Sequence, residues 1–224
     1  MPTCNRRRFV PQAIDCFLRQ DYPNLELLVV DDGADDVADL MPADPRVRYV
    51  RLACRQFIGV KRNTACNLAA GEIIVHWDDD DWSADTRVSE EVRALEASGA
   101  DVCGMSRLFF YEPAGDRAYE YVYPADSRPW VYGATLCYTK AFWRRNPFPD
   151  IRLGEDTRFV WSNCPARLHV IDDRNLFVAT IHSGNTSPKH VSDQRWRLCQ
   201  VSDVRAIAGD SWAQYRRALI DETS

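Results

Sequence analysis

The stretch GEIIVHWDDDDW, residues 71–82, carries the strongest structural signal in the sequence. Its apolar run, residues 73–75, is closely followed by four consecutive carboxylates at residues 78–81. A short apolar run between a glycine and polar residues is typical of a buried parallel strand. Such strands present ligand-binding groups at their carboxyl ends, in the crevice of an open α/β sheet. We therefore predict an α/β fold that binds a ligand beside these acids.

The four adjacent carboxylates need a source of positive charge. They repel one another, and each is driven towards its neutral form unless a cation lies among them. A hard divalent cation with oxygen ligands is the simplest such partner. The alternative is a solvated acidic turn before a helix, because carboxylates are also favourable near a helix N-terminus. The charge argument slightly favours a metal site.

The composition of the chain excludes several classes of function. With 224 residues, a formal net charge of −5 and a pI near 5.4, the chain is not expected to bind nucleic acid. No apolar run approaches the ~18 residues of a transmembrane segment, and no signal-peptide pattern opens the chain, although peripheral association with a membrane is compatible with the sequence. The eight cysteines are scattered without a CxxC pair, so we expect reduced thiols in a cytoplasmic protein.

Strand and helix patterns alternate over about the first 110 residues, which predicts a doubly wound parallel sheet. Later in the chain, residues 119–123 resemble an antiparallel strand framed by turns. Because no linker or repeat separates the two halves, we expect them to share one sheet. Strands are predicted at residues 25–30, 47–52, 73–75, 102–110, 119–123, 133–139 and 175–181, and helices from Pro11, at 59–70, 85–97, 141–145 and 157–163, and in a tail over about 191–220.

Three further groups of polar residues are candidates for a site. Lys61 and Arg62 lie in the first turn of a predicted helix, where cations are unfavourable; they suggest an anionic ligand, although solvated surface side chains explain them equally well. His182 ends a predicted strand and can complete a metal shell, but a lone histidine is more often structural. Glu155 and Asp156 precede a predicted helix, where a helix N-terminus favours acids in any case.

Four segments taken in order resemble family 2 glycosyltransferases of the GT-A fold. They are MPTCNR, QDYPNLELLVVDDG, GVKRNTACNLAAGEIIVHWDDDDW and GATLCYTKAFWRRNPFPDIRLGED, and they lie within residues 1–161. The resemblance implies a Rossmann-like, mostly parallel central sheet flanked by helices, with a small antiparallel sheet on the acceptor side. It implies a single domain, 1–224, with a nucleotide-sugar-binding half (about 1–110), an acceptor and catalytic-base half (about 111–190) and a helical tail (about 191–224).

The resemblance also implies an activity and a role for particular residues. The activity is inverting transfer of a sugar from a nucleotide-diphosphate sugar, with a UDP-sugar favoured, to a saccharide, lipid-linked or small-molecule acceptor, as in polysaccharide biosynthesis. The acids resemble the family's DxD element, which binds Mn²⁺ or Mg²⁺. The implied residues are Thr3, Asp32, Arg62, Asp78 and Asp79 for the nucleotide-sugar, Asp80 and His182 for the metal, and Asp156, the catalytic base, with Glu155 beside it.

The sequence departs from the family in two places. The family opens with a full buried strand before its PTxNR-like turn, and that strand is essentially missing here, so we hypothesise that the natural reading frame begins upstream of Met1. Cys4 stands where the family often has an aromatic residue that stacks on the base. Two alternative functions are a nucleotidyltransferase, although MPTCNRRRF lacks the glycines of a phosphate loop, and a catalytically degenerate sugar-nucleotide-binding domain.

Overall fold

The computed structural model describes residues 1–162 and 166–220, which adopt an α/β fold. None of the helices in this part of the chain is both long enough and apolar enough to cross a membrane. The strands are β1 (Pro2–Thr3), β2 (Leu27–Asp31), β3 (Val47–Arg51), β4 (Ile73–Val75), β5 (Trp82–Ser83), β6 (Val102–Met105), β7 (Arg107–Glu112), β8 (Arg117–Val122), β9 (Cys137–Thr139), β10 (Leu168–Ile171), β11 (Phe177–Thr180) and β12 (Trp196–Cys199). The helices are α1 (Val10–Leu18), α2 (Ile58–Leu68), α3 (Arg87–Ser98), α4 (Lys140–Arg145), α5 (Glu155–Val160), α6 (Val201–Ala208) and α7 (Trp212–Ile220).

These strands form three sheets. The first sheet is parallel, in the order β1-β2-β3. The second has the order β10-β6-β9-β4, with β10 parallel to β6 and β9 antiparallel to both of its neighbours. The third has the order β12-β8-β7-β11-β5 and is antiparallel except for the β7–β11 pair. The predicted α/β class, with a parallel part and an antiparallel part, is confirmed. The expectation that the two halves share one sheet is wrong, because the described strands divide into three hydrogen-bonded sheets.

Helix α1 and the tryptophans beside the acids show how the core forms around this sheet edge. Pro11 lies in the first turn of α1, where its missing N–H is not needed, and Phe17 packs edge-on to Trp77. The Trp77 Nε1–H donates to the Ala13 carbonyl at 3.0 Å, and the Trp82 Nε1–H donates to Ser211 at 2.7 Å. Both indole rings are therefore core groups that anchor the two ends of the acidic segment.

Three predicted elements differ from the structure. The predicted strand 133–139 is reduced to β9, since residues 133–135 form a 3₁₀ turn. The predicted strand 102–110 is divided at Ser106 into β6 and β7, which belong to different sheets. The predicted helical tail contains strand β12, and its helices begin only at Val201. The reason is aromatic packing: Trp196 contacts Phe110 and Tyr121 with ring centroids 4.6 and 5.1 Å apart. This burial outweighs local helix propensity, and β12 pairs with β8 instead.

Two further expectations concern helix α5 and the thiols. The helix predicted at 157–163 begins earlier, at Glu155, and its last predicted residue, Asn163, lies outside the described residues, as does Cys164. The other seven cysteines are free thiols, as expected for a chain without a disulfide framework.

A short strand stands where the resemblance implies a full first strand. Strand β1 has two residues and pairs Pro2 with Val30 in β2, and the Met1 amino group donates to the Leu28 carbonyl at 2.8 Å. Next to Met1, an apolar groove of about 770 Å³ separates β2 from β4. Among the described residues, β4 pairs on one side only, with β9. The groove therefore marks the place where the sheet is interrupted.

Candidate active site

A polar cavity of about 1040 Å³ lies where β1 and β4 end and where α2 and α5 begin. The loop that follows β11 closes a further side of it. The fold thus brings together segments that are distant in sequence. Of the nine predicted site residues, seven line this cavity, namely Thr3, Arg62, Asp78, Asp79, Asp80, Glu155 and Asp156. The other two, Asp32 and His182, lie behind its wall, each bonded to a residue that does line it.

The acidic wall of the cavity is built around one guanidinium group. Arg6 Nη1 donates to Asp79 Oδ1 at 2.9 Å and to Asp80 Oδ2 at 2.8 Å. The side chains of Asp79 and Asp80 are only 2% and 7% exposed, and that of Arg6 is 19% exposed. Asp80 Oδ2 also lies 2.8 Å from His182 Nε2 and 3.4 Å from Asn185 Nδ2. Asp80 is thus the most heavily bonded acid of the four.

The acids of this wall differ in their pKa values. Burial raises the pKa of Asp79 to about 6, although the charge of Arg6 opposes it. Burial would also raise the pKa of Asp80, but the hydrogen bond with His182 and the charge of Arg6 outweigh it and lower that pKa. Burial and the neighbouring Asp80 charge raise the pKa of Asp81 well above its usual value. One arginine therefore does not fully compensate the cluster.

The carboxylate oxygens of this wall are suitable ligands for a hard divalent cation, although the described side chains do not form a complete coordination shell. Across residues 1–162 and 166–220, no group of three or more His, Cys, Asp or Glu side chains has the arrangement of a metal site. A complete shell of protein ligands is not required, because Mg²⁺ is usually held by one or two carboxylates together with substrate phosphates and water. Asp79 Oδ2 is buried without a hydrogen-bond partner within the described structure, so a carboxylate oxygen is available. The position between Asp79 and Asp80 is taken by Arg6.

A second wall of the cavity carries Glu155 and Asp156 at the start of α5. Asp156 Oδ1 accepts the Thr157 N–H at 2.6 Å, and Asp156 Oδ2 faces Gly133 so closely that a Cβ at that glycine would lie 1.9 Å from it. Glu155 is buried, which raises its pKa against the opposing charge of Arg62. Asp156 is therefore oriented by backbone groups, with one oxygen directed at a position that only glycine leaves open.

Arg62 connects the two walls. Its Nε lies 3.4 Å from Glu155 Oε1 and its Nη2 lies 3.5 Å from Asp78 Oδ1. The guanidinium is 6% exposed. A buried cation that lines the cavity between two groups of acids is well placed to attract the anionic part of a ligand.

Lys61 lines the cavity and pairs with Asp32, which lies behind its wall. Its Nζ donates to Asp32 Oδ1 at 2.7 Å and to the Thr3 carbonyl at 3.1 Å. The other carboxylate oxygen, Asp32 Oδ2, accepts the Gln56 N–H at 2.7 Å. Both oxygens of Asp32 thus have donors, and the predicted role of Asp32 at the base stays a prediction.

The sequence analysis missed two residues of this site. Arg6 entered it only as a letter of the MPTCNR motif, and Gly133 was read as the start of a strand. A signal for Arg6 existed, because it follows β1 in a parallel sheet and the carboxyl ends of such strands meet at one edge. Gly133 left no comparable signal, since its function depends on the approach of Asp156 from another segment.

Comparison with known proteins defines the class. The model of the family "Glycosyl transferase family 2" matches residues 1–153. The chain belongs to this family. The comparisons lend no support to a nucleotidyltransferase or to a catalytically degenerate domain.

Individual relatives match only parts of their own length. The putative colanic acid biosynthesis glycosyl transferase WcaA of Escherichia coli (strain K12) is 38% identical over 94 residues, which are 40% of this chain and 34% of that protein. The GalNAc(5)-diNAcBac-PP-undecaprenol beta-1,3-glucosyltransferase of Campylobacter jejuni is 32% identical over 87 residues, 36% of this chain and 28% of that protein. The chain thus matches about a third of the length of these relatives.

Solved structures share the fold. S. aureus TarS 1–349 in complex with UDP-GlcNAc has a TM-score of 0.66 at 18% identity, covering 100% of this chain and 66% of that one. The mannosyltransferase PcManGT from Pyrobaculum calidifontis, in complex with GDP-Man and Mn²⁺, has a TM-score of 0.65 at 19% identity, covering 83% and 56%. At these identities the likeness confirms the GT-A type of fold alone.

Proposed function

We propose that this protein is a glycosyltransferase that moves a sugar from a nucleotide-diphosphate sugar, a UDP-sugar in the first instance, to an acceptor hydroxyl with inversion at the sugar carbon. The observation that carries the proposal is that Asp79, Asp80 and Asp156 line one cavity. The buried cation Arg62 links the two segments by pairing with Asp78 and Glu155. Inversion requires attack from the face opposite the departing diphosphate, so the base and the acids that serve the diphosphate belong on opposite walls.

Asp156 acts as the general base in this proposal. Its Oδ1 is held by the Thr157 N–H, which leaves Oδ2 to take the proton of the acceptor hydroxyl as the oxygen attacks the sugar carbon. General-base assistance of this kind typically contributes about 10²- to 10⁴-fold in rate. Glu155 supports the wall by pairing with Arg62.

The acidic wall would serve the leaving group. Asp80 would hold Mn²⁺ or Mg²⁺, with His182 holding Asp80 in place, while Asp78 or Asp79 would reach the ribose or a water on the metal. Such an ion stabilises negative charge on the departing diphosphate as a Lewis acid. Arg62 would approach the diphosphate or base from the middle of the cavity, and Thr3 would lie along the base.

The donor and acceptor classes are supported by the relatives. TarS has been solved with UDP and with UDP-GlcNAc, whereas PcManGT has been solved with GDP-Man and Mn²⁺. The names of two relatives specify undecaprenol diphosphate-linked acceptors, and one of them, WfgD of Escherichia coli, specifies UDP-Glc as donor. We therefore propose a lipid-linked or other saccharide acceptor, and a cytoplasmic protein that associates with a membrane through that acceptor, since its free thiols suit a reducing compartment.

Calorimetric titration of UDP and of GDP, each with and without Mn²⁺, tests the donor class. We expect metal-dependent binding of UDP. Failure of both diphosphates to bind a folded sample would contradict the proposed donor.

The same titration measures donor affinity, and release of nucleoside diphosphate from a panel of sugar donors and acceptors measures transfer. Together they test Asp156 as the base. Asp156→Asn should keep donor affinity and lose about 10²- to 10⁴-fold in transfer. Asp150→Asn, an exposed acid outside the cavity, is the matched control and should transfer normally. Wild-type turnover by Asp156→Asn would remove Asp156 as the base.

A further inference from the structure

The position of Arg6 carries an inference beyond the proposed function, on which it rests. A single nitrogen, Nη1, bridges Asp79 and Asp80 at 2.9 and 2.8 Å. Both acids lie in the segment 78–80 that resembles the family's DxD element, and the space between their oxygens is the space that a cation shared by them would occupy. The guanidinium therefore stands in for such a cation.

Arg6 also ties the acidic wall to the loop after β11. Its Nη2 donates to the Gly184 carbonyl, and the same loop holds Asp80 through His182 and Asn185. The loop lines the cavity at Gly184 and Asn185. Release of Arg6 from the acids would break the contact with Gly184 as well, so the two events are coupled.

Electrostatic repulsion makes Arg6 and a divalent ion alternative partners of Asp79 and Asp80. A divalent ion bound by Asp79 or Asp80 would lie within a few ångströms of the guanidinium, and like charges at that distance in a poorly hydrated wall repel strongly. Removing Arg6 without replacement leaves buried acids uncompensated. An incoming ligand therefore has to supply positive charge for the acids and negative charge for Arg6 together, as a complex of a metal ion with a diphosphate does.

We propose that Arg6 is an internal counter-cation that occupies the metal position in the donor-free protein and makes metal binding depend on the nucleotide. On binding of the metal and diphosphate together, the guanidinium leaves the acids and pairs with phosphate oxygens, for which its planar fork is suited. Arg6 is thus a residue that sets metal affinity and binding order.

Titration of Mn²⁺ alone, followed by the loss of the free-ion EPR signal, tests the proposal in wild type and in Arg6→Gln. The variant should bind Mn²⁺ without nucleotide at least about tenfold more tightly, because a nearby like charge is gone. Arg8→Gln is the matched control, since it removes the same charge from an exposed residue outside the cavity; it should match wild type. Equal or weaker Mn²⁺ binding by Arg6→Gln would overturn the proposal.

A measurement on the unchanged protein keeps the proposal testable if Arg6→Gln does not fold. Wild type should bind Mn²⁺ at least about tenfold more tightly when UDP or GDP is bound than without it; equal Mn²⁺ affinity with the diphosphate bound would overturn the proposal. Arg6→Lys, which keeps the charge, should behave like wild type in Mn²⁺ binding.

The outcomes also separate this proposal from the proposed donor. Tighter Mn²⁺ binding by Arg6→Gln without UDP or GDP binding to any variant would support Arg6 as counter-cation and contradict the donor. Metal-dependent UDP binding that is the same in wild type and Arg6→Gln, with unchanged affinity for Mn²⁺ alone, would support the donor and overturn the role of Arg6.

Discussion

Two groups of acids follow β2 and β4, strands that lie on either side of the apolar groove, and the two groups differ in how their charge is compensated. Asp32 follows β2, and its carboxylate has a donor on each oxygen, Lys61 Nζ on one and the Gln56 N–H on the other. Asp79 and Asp80 follow β4 and share a single nitrogen of Arg6. The first group is a completed ion pair, whereas the second has more negative than positive charge.

The pKa values of the two groups reflect this difference. Burial acts to raise the pKa of Asp32, but Lys61 and the Gln56 N–H outweigh it, so that pKa is lowered. The pKa of Asp79 is instead raised by burial, and its Oδ2 has no partner among the described residues. A similar sequence pattern thus yields a structural pair in one place and a site with unused binding capacity in the other.

The largest effect on stability is expected at the completed pair. Asp32→Asn leaves Lys61 with a buried charge and no acid, which should cost about 3–5 kcal/mol in the free energy of unfolding. Urea denaturation at pH 7 measures it. The double variant Asp32→Asn with Lys61→Met removes the orphaned charge and should recover most of the loss. A loss below about 1 kcal/mol in the single variant would mean that the pair behaves as a surface pair.

The same pair has a pH signature. Because the folded-state pKa of Asp32 lies below its unfolded value of about 3.9, the unfolded chain takes up the proton first as the pH falls. The contribution of the pair is therefore fully present above the unfolded pKa and is lost as the pH falls through the folded pKa. In the double variant, the free energy of unfolding should not show this loss as the pH falls.

A smaller effect, on ligand affinity, is expected at the second group. Asp80→Asn should lower Mn²⁺-dependent UDP affinity at least about 100-fold, because loss of a group that merely supports a metal ligand already costs 10- to 100-fold. The free energy of unfolding without metal should fall by less than in Asp32→Asn, since Arg6 keeps Asp79 as a partner. Calorimetry and urea denaturation of the same sample measure both. Unchanged affinity in Mn²⁺ would refute Asp80 as a ligand.

The smallest effect is expected at Asp81. Its pKa is raised well above the usual value by burial and by Asp80, while one oxygen accepts the Thr180 N–H at 2.8 Å. Asp81→Asn keeps an acceptor and removes the repulsion, so metal-free stability should rise by about 1 kcal/mol, or about 2–4 °C in Tm for a chain of this size. Differential scanning calorimetry measures the shift. A lower Tm would show that the ionised form is needed.

Much of the fold could be predicted from local pattern. The apolar run before the acids at 78–81 became β4, but the prediction of a buried parallel strand there is wrong: among the described residues β4 is half-buried and pairs antiparallel with β9. The strands near 27 and 47 were placed within about two residues, the usual uncertainty of element boundaries. The break at Ser106 and the strand β12 could not be predicted, because both depend on partners elsewhere in the chain. Trp196 finds its aromatic neighbours in β7 and β8.

The sequence by itself determined the class of fold, the family resemblance and the segments that meet at the site, because strand periodicity and acid clusters are local features. Only the tertiary structure decided which charges pair. Arg6 lies 73 and 74 positions from the acids that it bridges, and Arg62 lies 93 positions from Glu155. An ion pair forms where the fold brings two side chains within a few ångströms in a buried setting, and distance and burial are properties of packing, not of the residues alone.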